Sequence, residues 1–298
     1  FVHYHVHTVF MCFFALVGLT AIYKSAILFV QKRDPLLLTI IFLPPSVLLW
    51  SSGVLKEAIL FFALGLMIYS VFQIFKQESR KWYWWGLLLF GLLFLLFQVK
   101  FYVLAAFVTG AIGFVLVRFT GEKWLIVKYF LALLLMIALG MNYHRLSPEF
   151  EVIELITLKQ QDMIALGQLK DAGSLFKTEP LEPSIIGLIK GIPEALFHSF
   201  LQPLPWQTKG TLQWLAVAEN LLILFLIIWM FWKKTSNPIP GYKNAALFFI
   251  FSGLLLIIIV GWTTPIAGAL VRYKSPGMLA LLIGIYIYTN PKIPYLKQ

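Results

Sequence analysis

Apolar stretches recur along this chain, parted by short clusters of polar and basic residues. Nine of them have the length and character of membrane spans, at about 6–23, 36–50, 55–75, 82–98, 101–118, 124–142, 212–232, 244–262 and 276–290. A run near 20 residues matches a hydrocarbon core roughly 30 Å thick at about 1.5 Å of rise per residue. The pattern predicts an all-α, polytopic transmembrane helical bundle. The second stretch is short and carries Pro44-Pro45, so a kink or break is expected there. Only Val99-Lys100 separates the fourth from the fifth, which predicts a tight hairpin.

Lysines and arginines fall in every second connection. Lys32 and Arg33 follow the first span, and Lys76, Arg80 and Lys81 follow the third. Arg118 and Lys123 follow the fifth, Lys233, Lys234 and Lys243 follow the seventh, and Lys292 and Lys297 lie in the tail. Short basic loops stay in the cytoplasm. The opposite side then receives the Ser51–Glu57 turn, Lys100, segment 143–211 and the loop 263–276. Three regions follow: six spans in 1–142, an extracytoplasmic segment 143–211, and three spans in 212–298. Segment 143–211 has six basic and eight acidic residues, so it lacks the basic bias. Within it, 184–202 places Ile185, Leu188, Ile189, Ile192 and Leu196 on one helical face, interrupted at Pro193. Such a helix lies on a membrane surface or caps the spans. A less regular helix fits 149–170.

Composition supports the membrane reading. Only 12% of residues are charged, against about 25% in a typical soluble domain. Mean hydropathy is +0.85. The net charge of +11 sits mostly in short loops, where it sets topology, so membrane lipids rather than nucleic acid are the expected partner. Cys12 stands alone within an apolar run, so no disulfide framework is expected. The first residue is Phe1, the expectation for a piece of a longer chain, and no signal peptide is expected at the start.

Candidate chemistry concentrates at the predicted outer ends. In "SSGVLKEAILFF" the start of the third span carries Lys56 and Glu57. Two readings stand together: a helix start capped by Ser51 or Ser52, or a cavity wall where Lys56 meets an anionic headgroup and Glu57 orients it. In "GALVRYKSPGM", Arg272 and Lys274 flank Tyr273 on the outer side, against the basic-inside trend. An arginine fork grips phosphate oxygens and a lysine acts as a point charge. The alternative is an interfacial anchor. With Lys56 and Lys100 these cations predict a positive mouth, with Lys56 and Arg272 close in space and an anion or Glu57 between them. The candidate substrate-binding set is therefore Lys56, Glu57, Lys100, Arg272, Tyr273 and Lys274. Glu219 and Asn220 lie inside the seventh span, where a carboxylate either functions or bonds a neighbouring helix. His3, His5 and His7 begin the chain without a metal-protease motif, and no metal is expected. His144 and His198 are weak acid–base candidates. Neither a Walker A loop nor a GxGxxG turn occurs, which argues against a nucleotide-binding domain, and no cofactor is implied.

Three stretches carry a resemblance. "PSVLLWSSGVLKEAILFFALGLMIYS", "LFHSFLQPLPW" with "LAVAENLLIL", and "VRYKSPGM" resemble the C-type glycosyltransferase superfamily of bacterial envelope polysaccharide assembly. The resemblance implies an enzyme of the bacterial cytoplasmic (inner) membrane, transferring a sugar from a polyprenyl-phosphate carrier at the outer face. It implies that Arg272 and the lysines hold the lipid phosphate. The superfamily usually keeps an acidic catalytic residue in a loop after its first span. No such loop is found here, so the general base has no assignment. An O-antigen-type polymerase or ligase, and a non-catalytic subunit or transporter of an envelope complex, remain alternatives.

Overall fold

The computed structural model describes residues 3–30, 34–75, 82–143, 152–208 and 210–291. Lys32, Arg33, Lys76, Arg80, Lys81, His144, Lys292 and Lys297 lie outside the described residues. Those described are mostly helical, with one isolated bridge between Leu175 and Ile266 and no strand among them. In chain order the helices are α1 (Tyr4–Ala26), α2 (Pro35–Phe42), α3 (Pro45–Ser51), α4 (Lys56–Ile74), α5 (Trp82–Thr120) and α6 (Leu125–Tyr143). Then come α7 (Val152–Leu169), α8 (Ile185–Lys190), α9 (Ile192–Leu201), α10 (Thr211–Trp232), α11 (Tyr242–Thr263) and α12 (Ala267–Thr289). Seven of these, α1, α4, α5, α6, α10, α11 and α12, are long and apolar enough to cross a membrane.

Two expected breaks are present, and one helix boundary changes. The second predicted span is two helices of 8 and 7 residues, α2 and α3, parted at Leu43-Pro44. Pro44 cannot donate to the ladder, and Pro45 starts the next helix at a position that needs no donor. The fourth and fifth spans are two helical arms, together α5, that meet at Lys100, where the backbone leaves helical geometry (φ −156°, ψ 92°). The expected reversal occurs there. Leu89 and Leu93 of the first arm line a cavity of about 410 Å³ together with Val108, Ala111 and Ile112 of the second. These pairs are close only if the arms fold back on each other. The last helix begins at Ala267, not near Pro276, so Arg272, Tyr273 and Lys274 belong to a helix rather than a loop. A proline inside a helix orphans the carbonyl four residues earlier. Here that is Arg272 O, and the Ser275 hydroxyl donates to it at 2.9 Å.

Close approaches knit the bundle. A Cβ on Gly65 of α4 would stand 2.0 Å from Gly18 O of α1, and one on Gly253 of α11 would stand 2.7 Å from Gly277 O of α12. Small residues at such crossings let backbones touch, the usual basis of helix association in lipid. Phe72 of α4 is the hub of an aromatic core, with edge contacts to Phe29, Phe114, Phe248 and Phe249.

Alternate connections meet at the same end of the bundle. Asn237, after α10, donates to Phe29 O after α1 and to Ile287 O near the end of α12, both at 3.0 Å. Tyr129 at the start of α6 donates to Asn244 at the start of α11, and Asn244 in turn donates to Phe114 O near the end of α5. Phe75 at the end of α4 packs on Phe119. The other end gathers the starts of α4, α10 and α12, the turn at Lys100, and the helices α7 to α9.

Helices α7 and α9 pack mainly on α11, and α8 packs on α9. The chain leaving α7 runs beside the α11–α12 connection, where Phe176 N donates to Pro265 O and Ala267 N to Ser174 O. The expected amphipathic helix over 184–202 is instead α8 and α9, parted at Gly191, with Pro193 in the first turn of α9. The break splits the predicted apolar face. Ile185 and Ile189 are exposed, while Leu196 packs against the core.

Candidate functional site

Glu57 is the centre of the site. It stands in the first turn of α4, fully enclosed, and both carboxylate oxygens are taken by cations. Lys100 Nζ donates to Oε1 at 2.8 Å, and Arg272 Nη2 donates to Oε2. The turn at Lys100 aims that side chain inward, where it is only 8% exposed, and α12 brings Arg272, 25% exposed, from the other side. Three elements thus meet on one carboxylate. Aromatic rings line the cations. Lys100 Nζ lies 4.1 Å from the Tyr273 ring centroid and 5.9 Å from that of Tyr102. The Arg272 guanidinium lies 5.5 Å from the Trp50 ring and 5.8 Å from Tyr273. Such cation–π contacts strengthen when desolvated.

The trio holds two cations and one anion, so it carries one surplus positive charge. Lys56 adds another at its exposed rim, near enough to repel Lys100. Two buried donors beside the trio, Arg272 Nε and the Tyr102 hydroxyl, have no hydrogen-bond partner among the described residues. Glu57 meets Arg272 as expected, but the cation on its other side is Lys100 rather than Lys56, which is exposed. The capping reading is not met: the residue before α4 is Leu55, with no side-chain cap, and the Ser52 hydroxyl instead donates back to Leu49 O.

Lys274 does not join this cluster. It projects to the opposite side of α12 and is buried. Its Nζ donates to Ser199 O at 2.6 Å, to Asn220 Oδ1 at 2.8 Å and to Gln202 O at 3.5 Å. Asn220 Nδ2 also donates to Gln202 O, at 2.9 Å. Next to it, Glu219 bonds a neighbouring helix, one of the two expected outcomes. Its carboxylate accepts from Ser46 N at 2.9 Å and from the Ser46 hydroxyl at 2.6 Å. That is the first turn of α3, whose preceding residue Pro44 offers no capping oxygen, so α10 supplies one.

Sequence reasoning missed Trp50, Tyr102 and Asp34. Asp34 caps α2 by accepting from Leu36 N at 2.8 Å, and Tyr286 of α12 donates to its other oxygen. The Asp-Pro pair opening an apolar run was a readable helix start. Trp50 and Tyr102 had no local signal beyond lying near Lys56 and Lys100. His198 is buried on α9, its Nε2 3.7 Å from Glu194, while His3, His5 and His7 are exposed at the start of α1.

Fold and site together define a helical protein with several membrane-length apolar helices and an ion trio enclosed at one end of the bundle. No protein-family model, curated protein or solved structure matches this chain.

Proposed function

We propose that this chain is a multi-pass protein of the bacterial cytoplasmic membrane, crossing it nine times, with α7 outside and α8 and α9 at its outer face. In this reading the paired α2 and α3 make the second crossing and the arms of α5 make two. The outer end binds the phosphate of a polyprenyl-phosphate-linked sugar, and the chain acts as a glycosyltransferase on it. The observation that carries the proposal is the Lys100–Glu57–Arg272 trio. It keeps a positive surplus at membrane depth, where an uncompensated charge is costly. A lipid phosphate at the Lys56 rim would compensate it. The unspent donors on Arg272 and Tyr102 support an acceptor there. Glu57 holds the two cations apart and in place. In the reaction the bond from the sugar's anomeric carbon to phosphate oxygen breaks and one to the acceptor oxygen forms. The acceptor's proton passes to a base, and lipid phosphate leaves.

A second reading is favoured by the enclosure of Glu57. Both of its oxygens are engaged, so it is not the base, and a non-catalytic headgroup-binding subunit needs none. The test uses the full chain in lipid nanodiscs with a radiolabelled polyprenyl-phosphate sugar. Arg272→Ala should lose binding while remaining folded, and Arg272→Lys should recover part, because the planar fork is lost. Wild-type binding by the Ala variant would overturn the site. Binding without transfer to any acceptor glycan would leave the second reading.

A further inference from the structure

Helix α9 ends inside the bundle, at a depth that three independent helices measure. Its Ser199 hydroxyl donates to Ile257 O, six residues before the end of α11, which is about 9 Å at 1.5 Å per residue. Its Ser199 O accepts from Lys274, seven residues into α12, or about 10 Å. Gln202 O meets Asn220, nine residues into α10, or about 13 Å. The chain then returns to the start of α10 at Thr211. The chain from α9 to the start of α10 therefore enters and leaves the bundle from one end.

Outward this segment exposes Pro193, Phe197 and Trp206, with the polar Gln207 near its end. Phe197 on α9 is 46% exposed, and Trp206 on the return is 79% exposed. At the entry, Gly191 stands beside the Trp262 ring, near the end of α11. Just above it α8 exposes Ile186 and Ile189 at 66% and 60%. Indole rings favour the membrane–water boundary, so the exposed Trp206 and Trp214 mark its level. Phe197 lies below that level and α8 lies at it.

We propose that 185–206 is a re-entrant, lipid-dipping element. α8 lies in the headgroup layer, α9 inserts into the hydrocarbon, and the partner of their exposed face is bilayer lipid. The proposal also accounts for Lys274. A helix leaves its last carbonyls unpaired, and in hydrocarbon each such group costs several kcal/mol. Here His198 O accepts from Gln202 N, while Ser199 O and Gln202 O accept from Lys274 and Asn220. Lys274 pins the buried end of α9. Insertion of α9 does not depend on sugar transfer.

The experiment uses nitroxide labels at Phe197→Cys, Ile186→Cys and Lys177→Cys in a Cys12→Ser background, with the full chain in lipid nanodiscs. Accessibility to oxygen, which partitions into lipid, is compared with that to a water-soluble nickel chelate. Phe197 and Ile186 should favour oxygen and Lys177 the chelate. Chelate access at Phe197 would overturn the insertion. Shielding from both reagents at Ile186 and Phe197 would mean a protein partner and overturn the lipid assignment. Lys274→Met should shift Phe197 toward the chelate while a label at Phe225→Cys on α10 stays in lipid. An unchanged Phe197 signal in that variant would remove the pinning role of Lys274.

Discussion

At the residue scale, Glu57 matters because it is one carboxylate shared by two cations. Removing a partner from a buried ion pair typically costs about 3–5 kcal/mol, since the remaining charge is stranded. Glu57→Gln strands two cations facing each other, so it should destabilise the fold more than Lys100→Met, which leaves the Glu57–Arg272 pair balanced. Thermal unfolding in detergent ranks the two. A Glu57→Gln protein as stable as wild type would mean the trio carries no structural weight. The separate fates of Arg272 and Lys274 were legible in principle. Two residues along a helix turn the side chain through about 200°, so neighbours in "RYK" face opposite ways. Treating the stretch as a loop hid this. The partners of Glu57 were not legible, because they lie 43 and 215 positions away and no local pattern encodes that meeting.

Among the elements, apolar length was the readable quantity. α1, α4, α6, α10 and α11 fall close to their predicted bounds because length and hydropathy are local properties. α12 was read too short because Pro276 and the polar "RYKS" resemble a boundary, whereas the Ser275 hydroxyl repairs the ladder. α2 and α3 part at the Pro44-Pro45 pair that predicted a break, but the service of Glu219, far along the chain, to the second helix's start had no local signal. Packing between elements shows most plainly at the crossing of α1 and α4. With Gly18 O only 2.0 Å from a Cβ built on Gly65, any side chain there forces the helices apart. Gly65→Leu should lower the melting temperature by several degrees. Gly86→Leu, on α5 with nothing within 4 Å of its Cβ, should change it little. Equal effects would show that the crossing is not the cause.

At the scale of the whole molecule, the grouping of alternate connections at opposite ends agrees with the distribution of lysine and arginine. The tie from Asn237 to both Phe29 and Ile287 joins three such connections at one end. Sidedness remains a matter of charge bias, and it has a direct test. Lys177 is exposed on the chain between α7 and α8, at the end opposite the basic loops. Lys177→Cys, with Cys12→Ser, should react with a membrane-impermeant thiol reagent added to spheroplasts. Reaction only after lysis would invert the orientation and put the trio at the cytoplasmic face.

The separations within the trio also set an order of events during synthesis. α4 emerges first and carries a lone carboxylate. Lys100 follows 43 residues later, and until Arg272 arrives, 215 residues after Glu57, the pair is electrically neutral. The positive surplus exists only once α12 has been inserted. A nascent chain halted before that helix presents a balanced pair with Lys56 exposed beside it, and the surplus of the trio itself arrives with α12.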